Sequence, residues 1–500
     1  MPSLPGSPTS LWLTGEAPPA RPTFDGGEAV EVAVVGGGIV GAATALALAE
    51  AGARVALLEA RTIASAVTGH STAKVSALHE TQYTQITRGV GREAAAAYAE
   101  LNLEGVARTS ELAAGHGIEC SLETAPNYLV ALEESAVSKV EAEAEAAKAA
   151  GLEVALTDET DLPFDVLCAL RLGGQIGFDS AAFTRGLADA AERAGAAVYE
   201  ESRVSSIKHR SPCVLRFESG EELEAERVVL ATHMPLLDRG LFFARLRPQA
   251  SYAVSAPAAD APAGMYLGIG GATRSIRSAP RPDGSRSIIV GGEGHKVGQR
   301  DGADSYRKLT EWLGKRFDSG EVEHRWSAHD LMSPDDLPFI GPLAPFSSRI
   351  LTATGFSKWG LAAGVAAAQM LSRELSDDPD PRREAFDPNR LNLKASAPEL
   401  LKENADVGMR FFGGRLRRQR SIELDPGEGR VVAEGVRQVA ECRDLDGEHH
   451  RVSARCTHLG CIVRWNSGDA TWDCPCHGSR FGPGGEVLNG PATAPLEPAD

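Results

Sequence analysis

Near the end of the chain, two thiols and two imidazoles stand in a paired arrangement suited to binding a metal. Cys456-Thr457-His458-Leu459-Gly460-Cys461 is a C-x-H pair with an added cysteine, and Cys474-Pro475-Cys476-His477-Gly478-Ser479 is a C-x-x-H pair with another. Thiolate and neutral imidazole suit both zinc and the iron of iron–sulfur centres. A zinc finger draws two cysteines from one short loop and two histidines from another. Here each loop offers one of each. That division fits a [2Fe–2S] centre in which Cys456 and Cys474 hold one iron and His458 and His477 hold the other.

A second constellation lies near the start. Glu31 to Val35 is an apolar run fit for a buried parallel strand. It leads into Gly36-Gly37-Gly38-Ile39-Val40-Gly41, a G-x-G-x-x-G motif, and then into an alanine-rich run that reads as a helix stopped at Gly52. A further strand, Val55 to Leu58, ends in Glu59. Gly36 permits a tight turn, Gly38 lets backbone approach a pyrophosphate, and Gly41 lets the helix pack on the strand. The helix N-terminus offers N–H groups to phosphate, and Glu59 can accept hydrogen bonds from a ribose. The uncharged run Val32 to Ala49 is long enough to span a membrane, but its glycines interrupt it, and a strand followed by a helix explains it better. With one such motif at the start and no second copy downstream, FAD is favoured over a nicotinamide cofactor.

These sites require separate elements to hold them. A chain of 500 residues predicts several domains. Residues 29–375 alternate strand-like and helix-like runs, the α/β signature. Residues 1–28, rich in Pro, Ser and Gly and without a leader-like pattern, read as a flexible tail. The run SDDPDPRREAFDP opens a linker over 376–404. Arg410 to Arg420 reads as a solvated basic connector that could touch anionic lipid, and short β-like pieces from Ser421 onward read as a small all-β domain. The net charge of −17 argues against nucleic acid as a partner. Cys120, Cys168, Cys213 and Cys442 are scattered and read as reduced thiols, which predicts a cytoplasmic protein, at most peripheral to a membrane, with no transmembrane segment.

Residues 29–375 resemble the D-amino-acid-oxidase and glycine-oxidase superfamily of FAD-dependent oxidoreductases. The resemblance rests on the glycine motif and on ordered matches beyond it. Glu59, Ala60 and Arg61, then Thr68-Gly69-His70-Ser71-Thr72-Ala73-Lys74, match the ribose acid and the segment lining the flavin. Val204 matches the strand that touches adenine, and Arg227 to Thr232 the strand that returns under FAD. Asp336-Leu337-Pro338-Phe339-Ile340-Gly341 matches a D-x-P-x-I-G element. Gly355 through Lys358 to Gly360 and Leu361 matches the turn and helix start at the flavin ring, where a positive helix end would stabilise negative charge on the reduced ring. The resemblance implies a Rossmann-like, glutathione-reductase-type FAD domain and an α+β substrate domain over about 80–175 and 241–325. It also implies an amine or amino-acid substrate, with Asp336, Lys358, His295, Arg247 and Tyr252 as candidates to act on it. His324, His329 and Asp330 imitate a two-histidine, one-carboxylate iron site, but they fit a strand and are read as structural.

Residues 405–500 resemble the Rieske [2Fe–2S] family of the disulfide-bearing subtype. That resemblance implies a disulfide between Cys461 and Cys476, a Ser479 hydroxyl on a cluster sulfide, and a covering loop at Gly490 to Pro495. Phe481 stands where relatives often carry a tyrosine donor, and the missing hydrogen bond implies a lower cluster potential. The two halves together imply a dehydrogenase that passes electrons from FAD through the cluster to an external acceptor, a protein or a quinone. The alternatives are a redox carrier or sensor without a small-molecule substrate, and a reductase with the flow reversed and an external donor. Purified protein should contain about one FAD and about two irons per chain, with acid-labile sulfide and no zinc; metal analysis returning zinc without sulfide would contradict the cluster.

Overall fold

Val32, Ala33, Val34 and Val35 are all buried, and a strand apolar on both faces is stable only inside a covered parallel sheet. In the computed structural model this strand, Val30–Val35, lies between Val55–Leu58 and Glu222–Leu230, parallel to both. Ile350–Thr354 extends the parallel set, and Phe339–Pro342 closes that edge antiparallel. The helices Ile39–Glu50, Ser180–Arg193 and Gly360–Leu375 pack together with this sheet around the largest core cluster. The uncharged run 32–49 is therefore a strand and its helix. Among the described residues, no helix is long and apolar enough to cross a membrane. These residues are 4–15, 18–237, 240–345, 347–390, 424–435 and 437–499.

A second, nine-stranded mixed sheet takes its strands from both sides of the first in sequence. Lys74–Val75, Glu123–Ala131 and Cys168–Gly177 come before the returning strand, and Arg247–Pro257 through His324–Met332 come after it. The two sheets share one cavity between them. The C-terminal part is all-β, with a three-stranded sheet led by Gly429–Glu434 and a four-stranded sheet led by Arg464–Asn466. Trp472 and Phe481 fill its core.

The C-terminal domain packs against the edge of the second sheet. Arg480 is buried at the seam, 2.8 Å from Asp473 and 3.1 Å from Asp469, and it donates to the Ser327 hydroxyl across the interface at 2.8 Å. Tyr306 and Ser327, both from the flavoprotein side, donate to Asp469 at 2.5 and 2.6 Å. Gly302 donates to Asn466, and Ser467 to Asp301, so the contact is polar along its length.

The described parts of the expected tail and linker are not loose. Trp12 is buried and donates from Nε1 to the Ser71 carbonyl, while Phe24 stacks on Phe217 with ring centroids 4.3 Å apart. Phe386 is fully buried, and Arg390 pairs with buried Asp335 at 2.8 Å beneath the Phe339 ring. Single aromatic and arginine anchors in polar surroundings hold both segments, and composition does not register them. Residues 391–423, including the basic run Arg410 to Arg420 and the expected start of the C-terminal domain, lie outside the described residues. Because Trp12 anchors the N-terminal segment on the segment carrying Ser71, Trp12→Ala should cost about 3 kcal/mol. It should also weaken FAD retention; an unchanged urea midpoint would show that the anchor is idle.

Candidate functional site

The first helix begins at Ile39 without a cap from Gly38; the Ile39 N–H donates to the Thr68 hydroxyl at 3.2 Å, and the positive helix end faces the cavity, where Gly38, Ile39 and Val40 form part of the wall. Gly36 sits at φ +108°, and a Cβ there would lie 2.5 Å from the Ala231 carbonyl oxygen. A Cβ on Gly41 would lie 1.8 Å from the Gly36 carbonyl oxygen, so this glycine sets the helix against the turn and does not line the cavity. Glu59 ends the second strand and accepts from the N–H groups of Gly37 at 2.6 Å and Arg61 at 2.9 Å. Burial raises its pKa, and those two donors oppose the shift.

The cavity has a volume of about 620 Å³. Ala60, Arg61, Ser71, Thr72, Val204 and Thr232 line it, as do Gly36 and Glu59. Gly69 and Gly355 are outside the wall and shape the backbone: a Cβ on Gly69 would meet the Ala64 carbonyl at 2.3 Å, and Gly355 holds φ +71°. At the far end Ser357 and Lys358 take positive φ, and the helix Gly360–Leu375 starts into the cavity, again without a side-chain cap. Lys358, Gly360 and Leu361 all line it. Behind them His79 stacks on Trp359 at 4.1 Å, fixed by the Tyr98 hydroxyl and the Ser76 carbonyl. One cavity therefore receives two positive helix ends, an acid placed for a ribose, and a glycine-lined wall. It fits a dinucleotide whose phosphates and ring edge carry negative charge.

Of the candidates for acting on a substrate, the structure brings only Lys358 and Tyr252 to the cavity. Asp336 sits at φ +63° in a turn whose carbonyl accepts from Gln82; His295 stacks behind Tyr252 at 5.3 Å; Arg247 opens its strand away from the wall. Two acids complete the polar wall: Glu80, not singled out from sequence, and Asp330, read from sequence as structural. Glu80 lies 3.8 Å from Lys358, and Asp330 accepts from Ser251 at 2.8 Å. Burial raises the Asp330 pKa against the pull of Lys358. Lys74 is buried in the same wall and donates to the Tyr266 carbonyl at 2.9 Å. Burial, with Arg277 adding to it, pushes Lys74 down to about 7. Lys74 ends the segment matched from sequence to the flavin wall, and Asp330 stands with His324 and His329 in the group read as structural; Glu80 enters through folding alone.

The four expected metal ligands also meet. Cys456 and Cys474 are hydrogen-bonded thiol to thiol, which brings Cys456 down to about 7 and drives Cys474 well above its usual value. The His458 and His477 rings stand perpendicular with centroids 5.0 Å apart, and Phe243 packs edge-on against both. Cys461 and Cys476 form a disulfide that ties the two loops, so neither is a ligand. Ser479 is hydrogen-bonded to Cys456 and accepts the Ala492 N–H at 3.1 Å, and Phe481 is fully buried. Two thiols and two imidazoles from two tethered loops fit a [2Fe–2S] centre. The loop that follows, from Leu488 through Pro491 to Thr493, lines the same cavity as Gly38 and Lys358.

Residues 31–374 match the family model for FAD dependent oxidoreductases, and residues 416–499 match the Rieske [2Fe-2S] domain. The chain belongs to the FAD-dependent oxidoreductase family and carries a C-terminal Rieske domain. This oxidoreductase is 33% identical over 499 residues to YhfW of Bacillus subtilis (strain 168), named as a Rieske 2Fe-2S iron-sulfur protein, covering 99% of this chain and 98% of that one. Its flavoprotein part shares the fold of glycine oxidase from Geobacillus kaustophilus, with a TM-score of 0.59 at 20% identity over 71% of this chain and 96% of that one. Its Rieske part is 41% identical over 71 residues to the cytochrome b6-f complex iron-sulfur subunit of Synechococcus sp. (strain JA-3-3Ab), covering 14% of this chain and 41% of that one. The oxidoreductase binds FAD and a [2Fe–2S] cluster. Gly38→Val should abolish FAD binding, because a side chain there fills the space beside Thr68 that the phosphates need. Glu59→Ala should weaken it by about 1–3 kcal/mol. Flavin absorbance of the purified variants decides, and a yellow Gly38→Val protein would mean the site is misplaced.

Proposed function

We propose that the protein is a dehydrogenase that oxidises an amine or amino acid and delivers the electrons through its cluster to an external acceptor. The observation that carries this reading is the shared wall: the covering loop of the Rieske domain, Leu488 to Thr493, borders the FAD cavity itself. A carrier without a substrate has no use for a polar wall of buried Lys74 with Glu80 and Asp330. The glycine-oxidase fold of the flavoprotein part supports the substrate class.

FAD supplies a two-electron acceptor for the substrate, and the cluster supplies a one-electron carrier. In this reading Cys456, His458, Cys474 and His477 ligate the cluster, the helix end at Ile39 binds the pyrophosphate, and Glu59 holds the ribose. Lys358 and the helix end at Gly360 favour negative charge at the ring. Lys74, close to half-neutral at pH 7, accepts the proton of the substrate ammonium and frees its lone pair. His458 is only half-buried beside exposed Leu459, which makes its edge the outlet to the acceptor. The buried thiols Cys120, Cys213 and Cys442, none of them in a disulfide, support a cytoplasmic setting.

Anaerobic mixing with a panel of amines and amino acids should bleach the flavin and then raise the reduced-cluster signal in electron paramagnetic resonance. Cys474→Ala should bleach and stop there. A panel of such substrates that leaves the flavin oxidised would refute the substrate class. With a reactive substrate, the bleaching rate should rise through about pH 7 as Lys74 loses its proton, and Lys74→Met should flatten that rise. A limb preserved in Lys74→Met would assign the proton to another group.

A further inference from the structure

Two histidines that neither ligate the cluster nor belong to the polar wall stand between the cavity and the cluster, one of them at the cavity's edge. His233 follows the returning strand at φ +64°, a costly conformation for a side chain of this size. Its ring lines the cavity, and its Nε2 is sealed from solvent without a hydrogen-bond partner. The ring is hydrogen-bonded to the backbone of His329. His329 lies on the strand His324–Met332, where its neighbour Asp330 lines the cavity, so successive side chains serve opposite faces. The His329 ring is buried at the domain seam, with Nδ1 placed 3.1 Å from the Gly478 carbonyl. Gly478 directly follows His477. The strand fragment that imitates an iron site thus reaches the cluster loop by a hydrogen bond, beside the ring contacts that Phe243 makes with His458 and His477.

We propose that His233 and His329 form a hydrogen-bonded bridge through which electrons pass between the FAD cavity and the cluster, entering its loop at Gly478. The inference rests on the reading of function above. Tunnelling decays less across covalent and hydrogen-bonded contacts than across gaps, and this bridge needs two hydrogen bonds and short covalent spans. One electron crosses at a time, oxidising reduced flavin and reducing one ferric iron to ferrous. No atom moves along the bridge, and the proton shed when the flavin is fully oxidised leaves through the cavity to solvent. His233 meets the cofactor as part of the cavity wall, and the His329 bond to Gly478 holds the ligand loop in register with the strand.

The test uses the full-length holoenzyme without oxygen, with the flavin reduced by light and EDTA and the cluster followed by its absorbance. His329→Leu and His233→Leu should each slow cluster reduction severalfold, leaving flavin photoreduction, iron content and the cluster resonance spectrum unchanged. His329→Gln, which keeps a donor for the Gly478 carbonyl, should recover much of the rate. The double leucine variant should be no slower than the slower single one, because links in series are not additive. Wild-type rates in both leucine variants, or independent losses that multiply, would overturn the bridge. If His329→Leu fails to retain its cluster, His233→Leu decides alone, since His233 touches the cavity and His329 but no cluster ligand. A wild-type protein whose cluster stays oxidised would instead overturn the functional reading on which the bridge depends.

Discussion

The placement of the two redox sites depends on one buried cation. The Arg480 guanidinium reaches Asp473 and Asp469 within its own domain and Ser327 on the flavoprotein. Burying such a group is costly, and a buried ion pair is weak evidence for stability in itself. What it confers is register. Its two carboxylate partners lie in its own domain, so a shifted docking costs Arg480 the bond to Ser327, about 1.5–3 kcal/mol for a charged donor. Asp469 adds directionality by accepting from Tyr306 and Ser327 on the flavoprotein side. The Rieske domain is therefore held in one pose, with its covering loop on the FAD cavity and the His458 edge left at the surface.

Within that frame, the cavity is built by leaving helices unfinished. Both the helix at Ile39 and the helix at Gly360 lack a side-chain cap, and both open into the same space. The positive ends of both are stabilised by an anionic occupant, at the pyrophosphate for one and at the ring edge for the other. Between them lies the polar wall of Lys74, Glu80, Lys358 and Asp330; burial lowers the Lys74 pKa and raises that of Asp330, which favours the neutral form of each.

The parts that were legible in the sequence are those set by short-range geometry. G-x-G-x-x-G with its strand, helix and terminal Glu59 is one continuous unit, and the two Cys–His loops carry their spacing on their face. The wider FAD frame was legible through resemblance, and Val204, Thr232 and Leu361 do line the cavity. Side-chain direction at the substrate end was not legible. His295 and Glu293 are two residues apart on an irregular strand, and only Glu293 reaches the wall. Arg247 looked suited to a carboxylate by type, yet it opens its strand two residues before Gln249, the first residue of that strand to line the cavity. The order in the N-terminal segment and around Phe386 comes from long-range anchors that local composition hides. The docking of the two domains leaves no sequence pattern, because Asp469, Ser327 and Tyr306 are ordinary surface types until folding brings them together.

The central claim is that the cluster is fixed beside the FAD cavity of its own chain. It is tested most directly by how the rate of cluster reduction after a light pulse depends on protein concentration. A fixed pose predicts a first-order rate constant that stays the same on wide dilution, because donor and acceptor belong to one rigid unit. A rate that falls in proportion to dilution would mean that electrons reach the cluster only by collision between molecules, and would contradict the account.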